Sequence, residues 1–302
     1  MTVLTESDSK LGFIGLGLMG KPMARHLRRA GAEVVVHNRS QGAVQELANE
    51  GCVAASSPRE VADSVGGGCV ILMLTNTDSV REVVEGPDGL FAGMQTGLTV
   101  IDMGSTALAE TRLWREQAVE LGGDWVDAPV SGGQKGAIEA TLTIFAGGDP
   151  ARVDAVRPIL EVLGSQVTYL GPSGAGQATK LANQIMVAVT IASVSEAFVM
   201  CQDAGVDLAA ARPALLGGFA ASKVLDQHGL RMIDSNFTPG GTATNQLKDL
   251  VEACRVAEHR GLDLPMLTAN RKLWEEMIRA GLGDLDHSGL YQLYQQKHLP
   301  SH

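Results

Sequence analysis

Short apolar runs alternate with stretches of helical spacing along the first half of the chain. The runs "GFIGLG" (12–17), "EVVVHN" (33–38), "CVILML" (69–74), "TVIDMG" (99–104) and "DWVDAP" (124–129) read as strands, with Met19–Ala30 and Ala107–Leu121 as two of the helices between them. Strands that are apolar throughout, separated by helices, predict a mostly parallel sheet covered on both faces. "LTIFAGG" (142–148) and "VTYLG" (167–171), on either side of a helical stretch from Pro150 to Leu163, extend the same sheet. Beyond "GPSGAG" (171–176) no strand pattern recurs. Helices follow, broken at Gly205, Gly217-Gly218, Pro239-Gly240-Gly241, Gly261 and Pro265.

The first of these helices is predicted from Gln177 to Ala204, roughly 40 Å at 1.5 Å per residue. It is apolar enough that some of its cover is expected from a second subunit, as a homodimer or homotetramer. The predicted organisation is α/β: a dinucleotide-binding domain over residues 1–172, then an all-helical substrate and oligomerisation domain over residues 173–302, joined by that long helix.

Composition narrows the function classes. The 302 residues are 45% apolar, enough for a substantial core. The formal net charge is −10 and no run of Lys and Arg occurs, which argues against nucleic acid as a partner, because phosphate neutralisation supplies most of that affinity. The apolar run Ile185–Cys201 is interrupted by Ser193, Ser195 and Glu196 and falls short of a clean membrane span, so no membrane partner is expected. Cys52, Cys69, Cys201 and Cys254 show no metal-like spacing, and no metal site is expected. They read as small hydrophobes in a reducing compartment. The N-terminal "MTVLTESDSK" lacks the basic start and apolar stretch of a secretory signal. Together these lead to an expectation of a cytoplasmic protein.

"GFIGLGLMGKPMARHL" sets Gly15, Gly17 and Gly20 in GxGxxG spacing, between a predicted strand and a helix. Gly15 permits the tight turn, Gly17 close approach of backbone to a pyrophosphate, and Gly20 the packing of helix on strand. The whole turn, with Leu16, Leu18 and Met19 between the glycines, is the candidate cofactor loop of a Rossmann-type domain. The next strand ends in Asn38, Arg39 and Ser40 rather than the carboxylate usual where NAD is preferred. With no acid to repel a 2′-phosphate and the planar fork of Arg39 to grip one, NADP is the expected cofactor, with NAD as the alternative.

Three further loops follow strands at their carboxyl ends, where ligands of open α/β sheets bind: Leu74, Thr75, Asn76 and Thr77; "GST", ending at Thr106; and "DAPVSGG", ending at Ser131, Gly132 and Gly133. The last offers backbone N–H groups beside a hydroxyl, suited to a small carboxylate, but it, "TNT" (75–77) and "GST" (104–106) all read equally as structural turns. Lys180, the single basic residue between Arg157 and Arg212, opens the long helix, with Asn183 and Gln184 one turn on. The helix dipole and an apolar wall both favour its neutral amine, as suits a proton donor. It reads equally as a lysine that snorkels to water. Lys248 and Asp249, in "NQLKDLVEACRVAEHRG", read by themselves as a solvated helix face.

Taken in order, "GFIGLGLMGKPMA", "DAPVSGG", "GAGQATKLANQ" and "QLKD" resemble the motifs of the β-hydroxyacid dehydrogenase family, relatives of 6-phosphogluconate and 3-hydroxyisobutyrate dehydrogenases. Within it, "NRS" and "KLANQ" look most like the tartronate semialdehyde (2-hydroxy-3-oxopropionate) reductase branch. The resemblance implies that Lys180 is the general acid protonating a carbonyl oxygen. Asn183 would bond the substrate oxygen, Ser131, Gly132 and Gly133 would hold a carboxylate, and Lys248 would reach the substrate. Asp249 would position Lys248 and the cofactor, with Asn76, Thr77 and Thr106 along the dinucleotide. Related chains act on 3-hydroxyisobutyrate or threonate, reduce imines with the lysine replaced, or serve as non-catalytic chromatin readers. Retention of Lys180 argues against the last two. Two positions depart from the family pattern: Gln184 stands where many members have a second Asn, and "TNT" (75–77) lacks the usual proline.

Overall fold

The computed structural model describes Leu4 and residues 10–298. The chain divides into two compact units, with the boundary between Lys180 and Leu181.

Among the described residues, the first unit is built on a sheet of nine strands: β1 (Lys10–Ile14), β2 (Glu33–His37), β3 (Val53–Ala54), β4 (Cys69–Leu72), β5 (Thr99–Asp102), β6 (Asp124–Asp127), β7 (Val130–Ser131), β8 (Leu142–Gly147) and β9 (Gly164–Gly171). The spatial order is β3-β2-β1-β4-β5-β6-β8, with β7 and β9 both paired to β8. From β3 to β6 every pairing is parallel. β8 turns antiparallel against β6 and β7 and is joined in parallel by β9. The order in which strands are added reverses between β1 and β4, and at that switch point open sheets of this kind take their ligands.

Period-2 alternation sends side chains to two separate cores. Leu11, Phe13, Val34, Val36, Ile71, Ile101 and Val126 face one way, under α1 (Gly20–Arg29), α2 (Gln41–Asn49) and α7 (Pro150–Leu163), with α6 (Gly133–Glu139) supplying Ala137. Ile14, Val35, Val70, Leu72, Val100 and Trp125 face the other way, under α3 (Pro58–Val65), α4 (Thr77–Glu85) and α5 (Leu108–Glu120). Trp114 and Trp125 meet there with ring centroids 5.5 Å apart. Burial on both faces is why these strands read as unbroken apolar runs.

The strands end earlier than the apolar runs do. β1 stops at Ile14, and Gly15 already has φ +101°. Leu16 lies in the following loop yet is buried, so hydrophobicity alone does not mark the strand end. β3 and β7 have two residues each and leave no periodic trace.

The second unit is helical. α8 (Ala175–Asp203) starts in the first unit and continues into it. α9 (Leu208–Leu216), α10 (Lys223–Ile233), α11 (Ala243–His259), α12 (Pro265–Arg279) and α13 (Leu290–His298) complete it, with a 3₁₀ turn over His287–Gly289. Its core gathers Leu181, Ala188, Ile191 and Phe198 of α8 with Leu250, Trp274 and Tyr291. Asp207, Ser222 and Thr242 cap α9, α10 and α11 through their side-chain oxygens. α8 is two residues longer at its start than its apolar pattern predicts. At 29 residues it is long and apolar enough to cross a membrane by length and composition, contrary to the reading from the interrupted run. Its Ala188, Ile191 and Phe198 are fully buried among helices of the second unit.

Candidate active site

Each unit carries a cluster of the predicted residues. In the first, the three glycines after β1 have three different surroundings. A Cβ on Gly15 would run into the Met73 carbonyl oxygen, and one on Gly20 into the Gly15 carbonyl oxygen, so both are excluded by close packing. A Cβ on Gly17 would meet nothing within 4 Å. Gly17 thus exposes bare backbone to open space, and α1 begins beside it with no side-chain cap at Met19 and no acid in its first turn. Uncapped N–H groups at a helix start suit an anion, and these residues fit a pyrophosphate.

Asn38 ties the loop down. Its Oδ1 accepts the Leu16 N–H at 3.0 Å, and its Nδ2 donates to the Ser40 carbonyl at 3.1 Å. The Leu16 amide is therefore used internally, which leaves the Gly17–Gly20 segment as the part of the loop offering donors. Leu18 is exposed and Met19 half-buried. Arg39 and Ser40 are exposed past the end of β2, and Ser40 spends no hydroxyl bond on capping α2. Nearby acids are engaged elsewhere: Glu46 with Lys21 and Arg25, and Glu50 with Arg25.

The loops after β4 and β5 are locked together. Asn76 caps α4, accepting the Ser79 N–H at 2.8 Å, and Thr77 Oγ1 accepts the Ala107 N–H at 2.9 Å. Both side chains thus spend polar atoms on the scaffold. Leu74 is half-buried against the core and Thr75 exposed. Thr106 is buried, and its hydroxyl donates to Asp102 Oδ2 at 2.6 Å.

Two side chains outside the sequence prediction tie these loops to α8. Gln177 Nε2 donates to Thr106 Oγ1 at 2.8 Å and to the Gly104 carbonyl at 2.9 Å, while its Oε1 accepts the Thr106 N–H at 3.2 Å. Asp127, fully buried at the end of β6, accepts the N–H groups of Gly174 (2.8 Å) and Gln177 (3.0 Å) at the start of α8. Burial pushes its pKa up to about 6; the backbone donors oppose the shift without cancelling it. One turn beyond Gln177 stands Lys180, 9% exposed, which favours the buried over the snorkelling reading. Ser131 ends β7, and Gly132 (φ +133°) and Gly133 (φ +61°) follow, both exposed, in backbone conformations that L side chains rarely adopt.

The second unit holds the remaining residues as one network. Asn183 Nδ2 donates to Gln184 Oε1 at 3.0 Å, and Gln184 Nε2 donates to Asp249 Oδ2 at 2.7 Å and to Gln246 Oε1 at 3.3 Å. Gln246 returns a bond to the Gln184 carbonyl at 3.1 Å. The other oxygen of Asp249 pairs with Lys248 Nζ at 3.1 Å. Asp249 and Gln246 are buried, so "QLKD" is only in part the solvated face its charges suggest.

Sequence reasoning missed Asp102, Asp127, Gln177 and Gln246 as functional supports. Asp127 and Gln246 lie inside quoted motifs, but their partners are 50 and 62 positions away.

The pattern of a glycine-rich βα turn, a lysine on the first turns of a linking helix and a Lys-Asp pair in a helical unit is that of a nicotinamide-dependent dehydrogenase. Residues 10–171 match the NAD binding domain of 6-phosphogluconate dehydrogenase, and residues 174–294 the NAD-binding domain of NADP-dependent 3-hydroxyisobutyrate dehydrogenase. The chain is 43% identical over 284 residues to the 2-hydroxy-3-oxopropionate reductase of Escherichia coli K12, covering 94% of this chain and 96% of that one. Among solved structures, 3-hydroxyisobutyrate dehydrogenase from Salmonella typhimurium superposes with a TM-score of 0.86 at 27% identity, over 95% of this chain and 100% of that one. Psf3, solved in complex with NADP+ and 2-OPP, superposes with a TM-score of 0.85 at 25% identity, over 94% and 99%. The chain belongs to the β-hydroxyacid dehydrogenase family and is an NAD(P)-dependent oxidoreductase.

Proposed function

We propose that this enzyme uses NADPH in preference to NADH to reduce a small carboxylate-bearing semialdehyde of the tartronate semialdehyde (2-hydroxy-3-oxopropionate) type to its β-hydroxyacid. The observation that carries the reading is a buried lysine, Lys180, one turn beyond the buried Asp127 and Gln177 contacts that fix the start of its helix. The 43% identical relative named 2-hydroxy-3-oxopropionate reductase supports the substrate class. The exposed Arg39 and Ser40, with no acid at the end of β2, support the 2′-phosphate preference.

Gly17, Met19 and Gly20 would hold the pyrophosphate, with Asn38 keeping their loop in place. When bound, the nicotinamide supplies a hydride to the carbonyl carbon. The Lys180 ammonium gives its proton to the carbonyl oxygen, so the C=O becomes CH–OH, and the amine takes that proton back when the acid is oxidised. Ser131 with the Gly132 and Gly133 amides receives the carboxylate. Asn183 bonds the reacting oxygen and Lys248 adds a second positive charge for the substrate. Asp249 orients Lys248.

The enzyme is proposed to act as a homodimer or homotetramer in the cytoplasm, with no nucleic-acid or membrane partner. Met186 and Met200 of α8 and Phe219, all strongly exposed, support assembly. Buried free thiols at Cys52 and Cys254 support a reducing compartment, and the net charge of −10 argues against a polyanion.

The test is oxidation of NADPH and of NADH against a panel of small semialdehydes, read in reverse with 3-hydroxyisobutyrate and threonate, with Lys180→Ala as control. Full turnover by that variant overturns the mechanism. Preference for a semialdehyde bearing methyl instead of hydroxyl overturns the substrate assignment.

A further inference from the structure

We propose that Gln184 is the positioning residue of the substrate contacts in the helical unit, holding Asn183 directly and the Lys248 ammonium through Asp249. The proposal rests on the reading of Asn183 and Lys248 as substrate contacts.

The geometry is that of a single side-chain amide used at both ends. Its Oε1 takes the Asn183 Nδ2 proton at 3.0 Å, which fixes the turn of the Asn183 amide about its own axis. Its Nε2 gives a proton to Asp249 Oδ2 at 2.7 Å, the distance of a charge-assisted bond. Asp249 is 6% exposed. A buried carboxylate held at one oxygen by an amide can turn only as far as that bond permits, and its other oxygen sets where Lys248 Nζ rests, 3.1 Å away. Lys248 keeps 31% of its side chain exposed, and its contact with the buried Asp249 restrains the ammonium end of a flexible four-carbon stem. Gln246 fixes the hub by exchanging bonds with both the side chain and the backbone carbonyl of Gln184.

Gln184 is also a position where this chain departs from the family pattern. An Asn there is one methylene shorter, about 1.5 Å, and cannot keep a 2.7 Å bond to Asp249 from the same backbone. The longer amide therefore belongs with this placement of Lys248.

The test uses the full chain with Gln184→Leu and Gln184→Asn, each alone and combined with Lys248→Met. Either single variant is expected to raise KM for the semialdehyde at least about tenfold, and by more than it raises KM for NADPH. In the Lys248→Met background the added effect is expected to shrink below about threefold. Additive effects, or equal rises in both KM values, overturn the proposal. A second readout needs no substrate: acylation of Lys248 by acetic anhydride, followed by peptide mass spectrometry with Lys21 as internal reference. Loosening Asp249 is expected to raise Lys248 reactivity at least about threefold, and unchanged reactivity overturns the proposal. Should the Leu variant not fold, the Asn variant decides. A responsive Lys248 in a chain that reduces no semialdehyde sinks the functional reading and leaves the positioning role standing.

Discussion

Asp127 accepts the backbone N–H of Gln177 at 3.0 Å, so a fully buried carboxylate caps the helix that carries Lys180. Desolvation raises its pKa from 3.8 to about 6. A group whose folded pKa lies above its unfolded value favours the folded state fully below the unfolded pKa, and that contribution fades as pH rises through the folded one. Asp127 should therefore lower stability by roughly 2–3 kcal/mol between pH 4 and pH 7. Asp127→Asn removes the titration but aims an amide NH₂ at one of two N–H donors. It should be less stable than wild type at pH 5 and lack this part of the pH slope. Denaturant midpoints at pH 4.5, 5.5 and 7.5 decide, and identical slopes in the two proteins refute the assignment.

Gly17 and Gly20 should separate binding from folding. Gly17→Ala meets open space in the protein and should unfold at the wild-type midpoint. Its methyl would stand where the pyrophosphate approaches, so KM for NADPH should rise at least about tenfold. Gly20→Ala forces a methyl into the Gly15 carbonyl and should cost about 1–3 kcal/mol of stability or more. Equal thermal losses in the two variants contradict this division.

The sheet was legible because strands buried on both faces are apolar without interruption, as Val34–Val36 and Val70–Leu72 are. The cofactor loop was legible because its glycine spacing is local. Lys180 could not be decided by spacing, since a snorkelling and a buried lysine share the same neighbours in sequence. Its burial follows from packing. Asp127 and Gln184 were opaque for a related reason: their partners lie 50 and 65 positions away. A polar side chain in an apolar helix does not announce which distant carboxylate it meets. Gln184 looked like a lost asparagine and is instead the centre of a network.

Cofactor choice should turn on two adjacent residues. Arg39 is exposed and makes no hydrogen bond or ion pair among the described residues, so its guanidinium can be spent on a phosphate. Arg39→Ala should raise KM for NADPH by about ten- to a hundredfold, the worth of a charge-assisted bond, and leave NADH unchanged. Asn38→Asp keeps the oxygen that accepts the Leu16 N–H at 3.0 Å and adds the charge that repels a 2′-phosphate. It should shift preference toward NADH. Steady-state kinetics with both cofactors check each variant, and parallel changes for NADPH and NADH rule out a phosphate contact.

Lys180 should separate charge from proton transfer. Lys180→Ala removes both, and turnover should fall by about 10²–10⁴-fold, the usual worth of a positioned general acid. Lys180→Arg keeps a cation that does not release its proton in the working pH range, so it should bind substrate better than the Ala variant yet turn over no faster. Neither change touches the glycine loop or Asn38, so NADPH affinity by fluorescence titration should stay within about twofold of wild type. Single-turnover NADPH oxidation isolates the chemical step from product release. An Arg variant that recovers most of the wild-type single-turnover rate would show that Lys180 acts by charge alone, with the proton coming from another donor.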